Sequence, residues 1–377
     1  MCVLENTLVL FEKRTNGLRL SLRKRIMEIH QHNTGRVRAV ARVLPLLLAG
    51  LAAIAAACLA GSYPAAATDV AAVVGRALGL DLPAPADAAV TAVVLDLRLL
   101  RALLAYGVGA ALAVAGAVFQ GVLRNPLADP FTLGVSGGAA FGAALSLSLS
   151  LAVFFGTALA TPACALLGGG ATLAAVLALS RLAGGLRRET VVLAGIVAAT
   201  FLSALLSLVK ALNEESVAGI VFWIMGGFQG RGRAELALFL PCLGVGLAAI
   251  WLFVRELDIL LLGETQARQL GVAAGRARLV LLTAASLLTA AAVAVSGVIG
   301  FVGLIAPHAC RRLYGGEHGT LLLQSALAGG ALLVASDVLA RTILPGGAEL
   351  PVGVVTALCG GPFFCALLLT GRSGART

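Results

Sequence analysis

Residues 257–314 read LDILLLGETQARQLGVAAGRARLVLLTAASLLTAAAVAVSGVIGFVGLIAPHACRRLY, and this stretch decides the fold class. A short polar segment, which holds Glu264, Arg268 and two further arginines, lies between two long apolar runs. Charged residues concentrate in this way in the loop that joins two membrane spans. The stretch therefore predicts a membrane protein with a polar loop at one membrane face.

The composition of the whole chain indicates the same class. Of the 377 residues, 59% are hydrophobic and only 12% are charged, whereas a soluble domain carries about 25% charged residues. Repeated apolar runs of roughly 20 residues favour a helical bundle, because helices satisfy their own backbone hydrogen bonds in lipid. The alternating pattern of a transmembrane barrel strand is not found in the sequence.

The apolar runs predict an all-α polytopic membrane protein with about ten transmembrane helices in one bundle. The predicted spans are 42–61, 101–123, 132–154, 158–180, 190–211, 234–254, 276–297, 298–313, 319–341 and 350–370. An even number of spans places both termini on one side, and the basic loops assign that side to the cytoplasm.

Three segments follow from this topology. Residues 1–40 are expected to form a basic cytoplasmic tail, 41–371 the transmembrane domain with a cytoplasmic loop at about 258–279, and 372–377 a short cytoplasmic tail. The first apolar run begins too late for a cleavable signal peptide, so we expect it to be retained. Met27 is an alternative start to Met1.

The net charge of +10 does not indicate nucleic-acid binding, because the basic excess lies in the tail and in short loops, where the positive-inside rule places it. The seven cysteines are scattered without paired spacing. We therefore expect neither a disulfide framework nor a metal site.

Five arginines fall on the predicted outer face and break the charge rule: Arg98, Arg101, Arg231, Arg233 and Arg341. One explanation is contact between their long side chains and lipid headgroups. Another is an acidic partner that docks from outside, since a guanidinium fork holds a carboxylate through two hydrogen bonds. Asp337 lies one turn before Arg341, which favours a local ion pair over an ion-coupling site.

The sequence offers no nucleotide-binding loop of its own. The pattern G-x4-G-K-[ST] needs a lysine after its second glycine, and the only lysines, Lys13, Lys24 and Lys210, do not lie in that setting. If ATP drives this protein, a separate subunit has to hydrolyse it.

A serine motif supplies an enzymatic alternative. Residues 134–138, GVSGG, match G-x-S-x-G, and their core resembles the nucleophile motif of rhomboid proteases. An intramembrane serine protease would use Ser136 as nucleophile and His308 as base. Such runs also arise where small residues let membrane helices pack closely, so both interpretations stay open.

Residues 263–271, GETQARQLG, predict a short helix between two glycines, of which the second is suited to end it. A second short segment, Val272–Arg278, would complete a compact helical hairpin at the membrane surface. This hairpin either receives movement from a partner or is an ordinary amphipathic connector.

Several separated segments together resemble the permease subunits of bacterial ABC importers for iron–siderophore complexes, heme and cobalamin, the FecCD-type family. The resemblance covers about residues 95–370. It rests on RLLRALLAYGVGAALAVAGAVFQGVLRNPLADPFTLGVSGGAAFG (98–142), FWIMGGFQG (222–230), LGETQARQLGV (262–272), GVIGFVGLIAPHACRR (297–312) and SDVLARTILPGGAELPVGVVTALCGGPFF (336–364).

The resemblance implies a homodimer in the bacterial inner membrane, with two ATP-binding cassette subunits below it and a periplasmic or lipid-anchored substrate-binding protein above. It implies import of an iron chelate, a siderophore complex or heme, by alternating access; cobalamin or an oxyanion is the alternative cargo. The partner subunit would use the ATP, and this subunit would bind no cofactor.

The resemblance also assigns residues to contacts with these partners. Arg98, Arg101 and Arg341 would pair with glutamates of the binding protein. The residues that would contact the ATPase are Gly263, Glu264, Ala267, Arg268, Leu270 and Gly271.

The inner gate is assigned in the same way. One gate segment is the turn LRNPLADP (123–130), which implicates Asn125 and Leu127. The other segment reads Arg188-Glu189 here, where the family usually carries small hydroxyl residues.

Overall fold

A computed structural model of the protein describes residues 42–61, 63–83, 85, 87–155 and 157–371, without the side chains of the few least certain residues near its C-terminal end. The predicted tails lie outside the described residues. The chain divides into two units, Met1–Leu47 and Leu48–Thr377. The described part of the first unit is only the beginning of the first helix, and the fold below is that of the second.

Ten helices correspond to the ten predicted spans, and the described residues contain no strand. They are α1 Arg42–Leu59, α2 Ala88–Leu123, α3 Val135–Ser148, α4 Ala160–Leu182, α5 Arg188–Leu212, α6 Arg233–Leu252, α7 Ala274–Ser296, α8 Val302–Tyr314, α9 His318–Thr342 and α10 Val352–Gly371. Seven are long and apolar enough to cross a membrane, α3 is a shorter apolar helix, and α10 is apolar over the part from Val352 to Ala366. The predicted all-α polytopic bundle is confirmed.

Helices α2, α7 and α9 form the centre of the bundle. Helix α2 packs against α7, α8 and α9, and small residues bring the backbones close. A Cβ atom on Gly116 would lie 1.9 Å from the carbonyl oxygen of Gly303, and one on Gly109 would lie 2.3 Å from that of Gly329. The small-residue faces in the sequence are therefore packing surfaces, as expected for membrane helices.

Three breaks in helical structure meet inside the bundle. A short helix, Val217–Ile224, ends just before Gly226, α7 ends at Ser296, and α10 begins at Val352. The Gly227 amide donates to the Ser296 carbonyl at 2.7 Å. Irregular backbone at membrane depth is tolerated where it is buried in protein or lines a cavity, so these breaks mark a candidate cavity.

Two predicted boundaries are wrong. The second span begins at Ala88 instead of 101, and it contains a π-helical segment, Val93–Leu99. The hairpin pairs Val254–Leu262 with Glu264–Gln269, because the residues after Ala274 continue as the first turn of α7. The segment expected to form the second arm therefore belongs mostly to a membrane helix.

Candidate functional site

Four of the five outer arginines line a single cavity of about 480 Å³: Arg98, Arg101, Arg231 and Arg341. The carboxylates of Asp96 and Glu349 also line it. The sequence placed the arginines on one face; the structure brings these four from three separate segments to one opening, which we call the outer cavity.

Arg98 and Arg341 close the C-terminal end of α1. Arg98 Nη1 donates to the carbonyl oxygens of Cys58 and Leu59, at 3.0 and 3.2 Å. Arg341 donates to the carbonyl oxygens on either side of these, both at 3.3 Å. The last carbonyls of a helix have no partner within it and carry its negative dipole end, so the two guanidinium groups satisfy and stabilise this terminus.

Arg101 connects α2 to α9 and to the segment before α10. Its Nη2 atom lies 2.7 Å from Asp337 Oδ1 and 2.9 Å from Glu349 Oε2. Asp337 is fully buried and lies 3.3 Å from Arg341 Nε, which confirms the predicted local ion pair. The stronger contact of Asp337 is nevertheless with Arg101, from which it is far removed in sequence.

Arg231 and Arg233 are held less firmly. Arg231 lies 3.6 Å from Glu235 on the next helical turn. Arg233 is 78% exposed and pairs with Asp96. These two had no assigned role in the sequence, yet Arg231 lines both the outer cavity and the larger one beneath it.

The docking assignment for Arg98, Arg101 and Arg341 stays a prediction. The structure adds a condition to it, because each of the three already has partners within the chain. A docked carboxylate would have to enter the outer cavity and share these guanidinium groups.

A central cavity of about 520 Å³ lies at the helix breaks, where Gly226, Ser296 and Val352 are among its lining residues. Aromatic side chains of Phe222 and Trp223 line it as well, and Arg101 and Glu349 extend it toward the outer cavity. A cavity of this size, mostly apolar with a few polar groups, is within the range of small-molecule sites, about 300–1,000 Å³.

The hairpin presents an exposed charged helix at the other end of the bundle. Glu264 Oε1 lies 2.7 Å from Arg268 Nη2, and the other Glu264 carboxylate oxygen lies 3.6 Å from Arg278. Glu264, Arg268, Leu270 and Gly271 are exposed. Gly263 φ is +129°, and Gly271 φ is +79°, so both glycines occupy conformations that other residues avoid.

Two of the residues assigned to the ATPase contact are not on this surface. Gly263 and Ala267 are buried, and Ala267 is completely so. The Ala267 side chain packs the hairpin onto the bundle, and Gly263 forms the buried turn between its two helices. The surface available to a partner is made by the other four.

Among the described residues, no hydrogen bond or ion pair joins Asn125 or Leu127 to Arg188 or Glu189. The Asn125 side chain accepts a hydrogen bond from the Leu127 amide at 3.0 Å, which tightens the turn after α2. Arg188 and Glu189 form an exposed pair at 2.6 Å at the start of α5. Their assignment to one gate stays a prediction.

Asp129 in the same turn was not singled out in the sequence. Its carboxylate accepts from the Phe131 amide at 2.9 Å, and with Thr132 it forms a capping box before the short helix Pro130–Leu133. Burial raises the pKa of Asp129 to about 6, against the opposing effect of the Phe131 hydrogen bond. The D-P-x-T spacing at 129–132 is the sequence signal for such a cap.

Two contacts join the hairpin to the bundle, and the sequence did not reveal them. Asp258, in the first arm, accepts from the backbone amide of His318 at 3.1 Å and lies 2.7 Å from its Nδ1 atom. Arg124, at the end of α2, donates from Nε to the Leu260 carbonyl at 2.9 Å. Movement of the hairpin is therefore linked directly to α2 and α9.

The structure does not assemble the serine protease site. Ser136 is buried, and its hydroxyl has no hydrogen-bond partner in the described part of the chain. His308 lies elsewhere, with its ring packed edge-on against Phe363 at a centroid distance of 6.1 Å. Gly138 instead lets α3 approach α4, and Gly134 and Gly137 face α5, as the packing interpretation predicted.

A bundle of about ten helices, broken around a central cavity and carrying a charged hairpin at one end, defines a polytopic membrane permease. Residues 46–370 match the FecCD transport family. The chain belongs to this family, and it is a membrane permease of the ABC transporter class.

Named relatives agree with this class. An uncharacterized ABC transporter permease, YvrB of Bacillus subtilis, is 42% identical over 80% of this chain and 84% of its own length. The Fe(3+) dicitrate permease FecD of Escherichia coli is 39% identical over 74% and 86%. Other relatives are named as permeases for vitamin B12 and hemin.

A solved structure supports the same fold. It is described as an inward-facing metal-chelate type ABC transporter, and it superimposes with a TM-score of 0.74 at 33% identity. The match covers 87% of this chain and 98% of that one.

Proposed function

We propose that this chain is the membrane subunit of an ATP-driven importer that moves an iron chelate, a siderophore complex or heme, into the cytoplasm. Relatives named for Fe(3+) dicitrate and hemin support this cargo class. Relatives named for vitamin B12 support cobalamin as the alternative within the family. The proposed location is the bacterial inner membrane with both termini in the cytoplasm.

The observation that carries the proposal is the arrangement of one cavity between two different ends. The central cavity lies at the helix breaks and continues toward the outer arginines. The opposite end of α2 and α9 contacts the hairpin through Arg124 and His318. An alternating-access device needs such a linked pair of ends around one cargo space.

The hairpin is the proposed contact with the ATPase. Its exposed residues are Glu264, Arg268, Leu270 and Gly271. Two ATP-binding cassette subunits would bind and hydrolyse ATP, and their approach would move the two hairpins of a dimer. Because each hairpin is hydrogen-bonded to α2 and α9, that movement would reach the helices that surround the cavity.

A second copy of the chain is the proposed partner within the membrane. In α5, the single chain buries only 17% of the most apolar part of the helix. Large side chains such as Phe201 and Leu208 are exposed. Lipid covers part of such a surface, and a second copy would cover the remainder and complete the transport path.

The outer cavity is the proposed docking point for a periplasmic or lipid-anchored binding protein. Four arginines around one opening attract a carboxylate from that protein. Arg231 is the best-placed first contact, because its internal partner, Glu235, is 3.6 Å away.

Reconstitution tests the function directly. The permease would be purified with the ATPase and the binding protein encoded beside it and placed in liposomes, and ATP-dependent uptake would be measured separately for iron–siderophore, heme and cobalamin. We expect uptake of one iron chelate that requires both partners. Uptake of cobalamin alone would assign cobalamin as the cargo in place of an iron chelate. An assembled complex that transports no metal chelate would overturn the proposal.

A labelling experiment separates this proposal from the protease alternative. We expect a fluorophosphonate to leave Ser136 unmodified in the intact protein, since no base contacts its hydroxyl in the described residues. Covalent labelling of Ser136 that is lost in Ser136→Ala would favour the protease.

A further inference from the structure

A third cavity, of about 350 Å³, lies at the hairpin end of the bundle, between the end of α2, the turn after it and α8. Its polar lining comes from Gln120, Arg124, Asn125, Arg311 and His318. Among the described residues, no carboxylate lines it. We call it the basic cavity.

Arg311 is fixed in the basic cavity by neutral groups. Its Nη1 atom donates to the Gln120 side-chain oxygen at 3.0 Å. Gln120 is 3% exposed and is itself held by the Gly303 carbonyl at 3.2 Å. A guanidinium group has five N–H donors, so Arg311 is oriented by one contact and keeps donors for a ligand.

Arg124 is held in the same way from the opposite side. Its Nε and Nη2 atoms both donate to the Leu260 carbonyl, at 2.9 and 2.6 Å. The Nη1 group has no partner among the described residues. Neither Arg124 nor Arg311 forms an ion pair in the described ranges, in contrast to Arg101, Arg231 and Arg268.

The nearby acid does not neutralise these two charges. Asp258 lies behind His318, and one of its carboxylate oxygens accepts from both the backbone and the ring of that residue. Asp258 therefore stabilises the start of α9 and does not line the basic cavity. The cavity keeps two oriented positive charges without a counter-ion from the described chain.

We propose that the basic cavity binds a phosphate group, supplied by the headgroup of an anionic phospholipid or by free phosphate. Guanidinium forks match the geometry of phosphate oxygens, and the Gln120 and Asn125 amides supply further polar groups. The cavity is within the size range of small-ligand sites, about 300–1,000 Å³. Basic pockets between the ends of transmembrane helices are suited to lipid headgroups.

The test uses the purified full-length protein in nanodiscs. The thermal midpoint would be measured in phosphatidylcholine alone, in phosphatidylcholine with phosphatidylglycerol, and in phosphatidylcholine with added inorganic phosphate at matched ionic strength. We expect saturation by one phosphate source to raise the midpoint by about 5 °C. Native mass spectrometry would show whether phosphatidylglycerol is retained.

Matched variants locate the effect. Arg311→Gln and Arg124→Gln should lose most of the rise, because each removes one charge from the basic cavity. Arg312→Gln is the control, since Arg312 is the next residue, is exposed and does not line the cavity. If Arg311→Gln fails to fold, Arg124→Gln carries the same comparison.

The outcomes separate the two sources. A rise with phosphatidylglycerol alone assigns the site to lipid, and a rise with inorganic phosphate in neutral discs assigns it to free phosphate. The proposal is overturned if neither source stabilises the wild-type protein, or if Arg312→Gln loses the response as fully as the cavity variants do.

Discussion

At the outer end, Arg98 is buried, Arg101 and Arg341 are partly buried, and the three hold helices α1, α2 and α9 together, whereas at the hairpin end Glu264 and Arg268 form an exposed pair on one short helix. Both sets were assigned to partner contacts from the sequence. The difference is in what each charge already does within the chain. The three outer arginines already bind groups within the chain and stabilise the fold, while the hairpin charges are available to a partner.

This difference changes how the two sites should be tested. Charge reversal of a buried arginine leaves its carboxylate or carbonyl partners unsatisfied in a low-dielectric interior, so the protein is expected to lose stability before docking can be measured. Reversal of an exposed charge leaves the fold intact. The predictions below therefore compare stability with transport, in order of their expected effect on stability.

Asp337→Ala should have the largest effect. The substitution leaves Arg341 without its carboxylate and Arg101 with Glu349 alone, and breaking a buried ion pair in this way costs roughly 3–5 kcal/mol. The thermal midpoint of the detergent-purified protein measures it. Glu349→Gln is the control, because the Glu349 side chain is 22% exposed and its one ion-pair partner among the described residues is Arg101. A smaller loss is expected there, and equal losses would contradict the central role of Asp337.

Arg98→Met should have the next largest effect. It leaves the carbonyls of Cys58 and Leu59 without their donor, and each unsatisfied buried group costs about 1–3 kcal/mol. Faster limited proteolysis after α1 and a lower thermal midpoint are expected. Arg233→Met, at a side chain that is 78% exposed, should change neither quantity. If both variants behaved alike, the hydrogen bonds from Arg98 to the end of α1 would contribute nothing measurable to the stability of the protein.

The contrast also shows which features the sequence can predict. Membrane spans follow from runs of apolar residues, and the helix at Glu264–Gln269 follows from its two flanking glycines, because both signals are local. The ion pair of Asp337 with Arg341 is one helical turn long and was predicted for the same reason. The contact of Arg101 with Asp337 joins residues 236 positions apart, which no local pattern reports.

The sequence also does not predict which single residues are buried. Ala267 is assigned to the ATPase contact by position, but the amphipathic turn places it inward. Likewise, the hydrogen bonds from His318 to Asp258 and from Arg311 to Gln120 depend on how helices pack, and each partner alone looks like an ordinary loop or helix residue.

Asp129 is a partly buried acid in the turn at the hairpin end, so the stability of this end should depend on pH. Its folded pKa of about 6 lies above the ordinary value of 3.8, so the folded state binds more protons between these values. Stability from this group is fully present below about pH 4 and is lost as pH rises through about 6. Asp129→Asn keeps the cap without a titrating group.

The measurement is the thermal midpoint of wild type minus that of Asp129→Asn, at pH 7.5 and pH 5. We expect this difference to move in favour of the wild type at pH 5, by no more than about 5 °C. A difference that is the same at both pH values would show that the folded Asp129 titrates in its ordinary range.

Glu264 and Arg268 should show the smallest effect on stability and a large one on transport. An exposed i,i+4 pair contributes about 0.3–0.5 kcal/mol, so Glu264→Gln and Arg268→Gln should leave the thermal midpoint within about 2 °C of the wild type. If the pair serves only the hairpin helix, the exchange variant Glu264→Arg with Arg268→Glu should restore nearly full transport, because it keeps the ion pair on the same turn and gives up only the longer contact of Glu264 with Arg278. If the charges contact the ATPase, as we propose, the exchange presents the wrong sign at both positions. ATP hydrolysis would then be uncoupled from uptake, or the ATPase would fail to co-purify, although the protein remains folded in the membrane. Nearly full transport by the exchange variant would return the hairpin to the status of a connector.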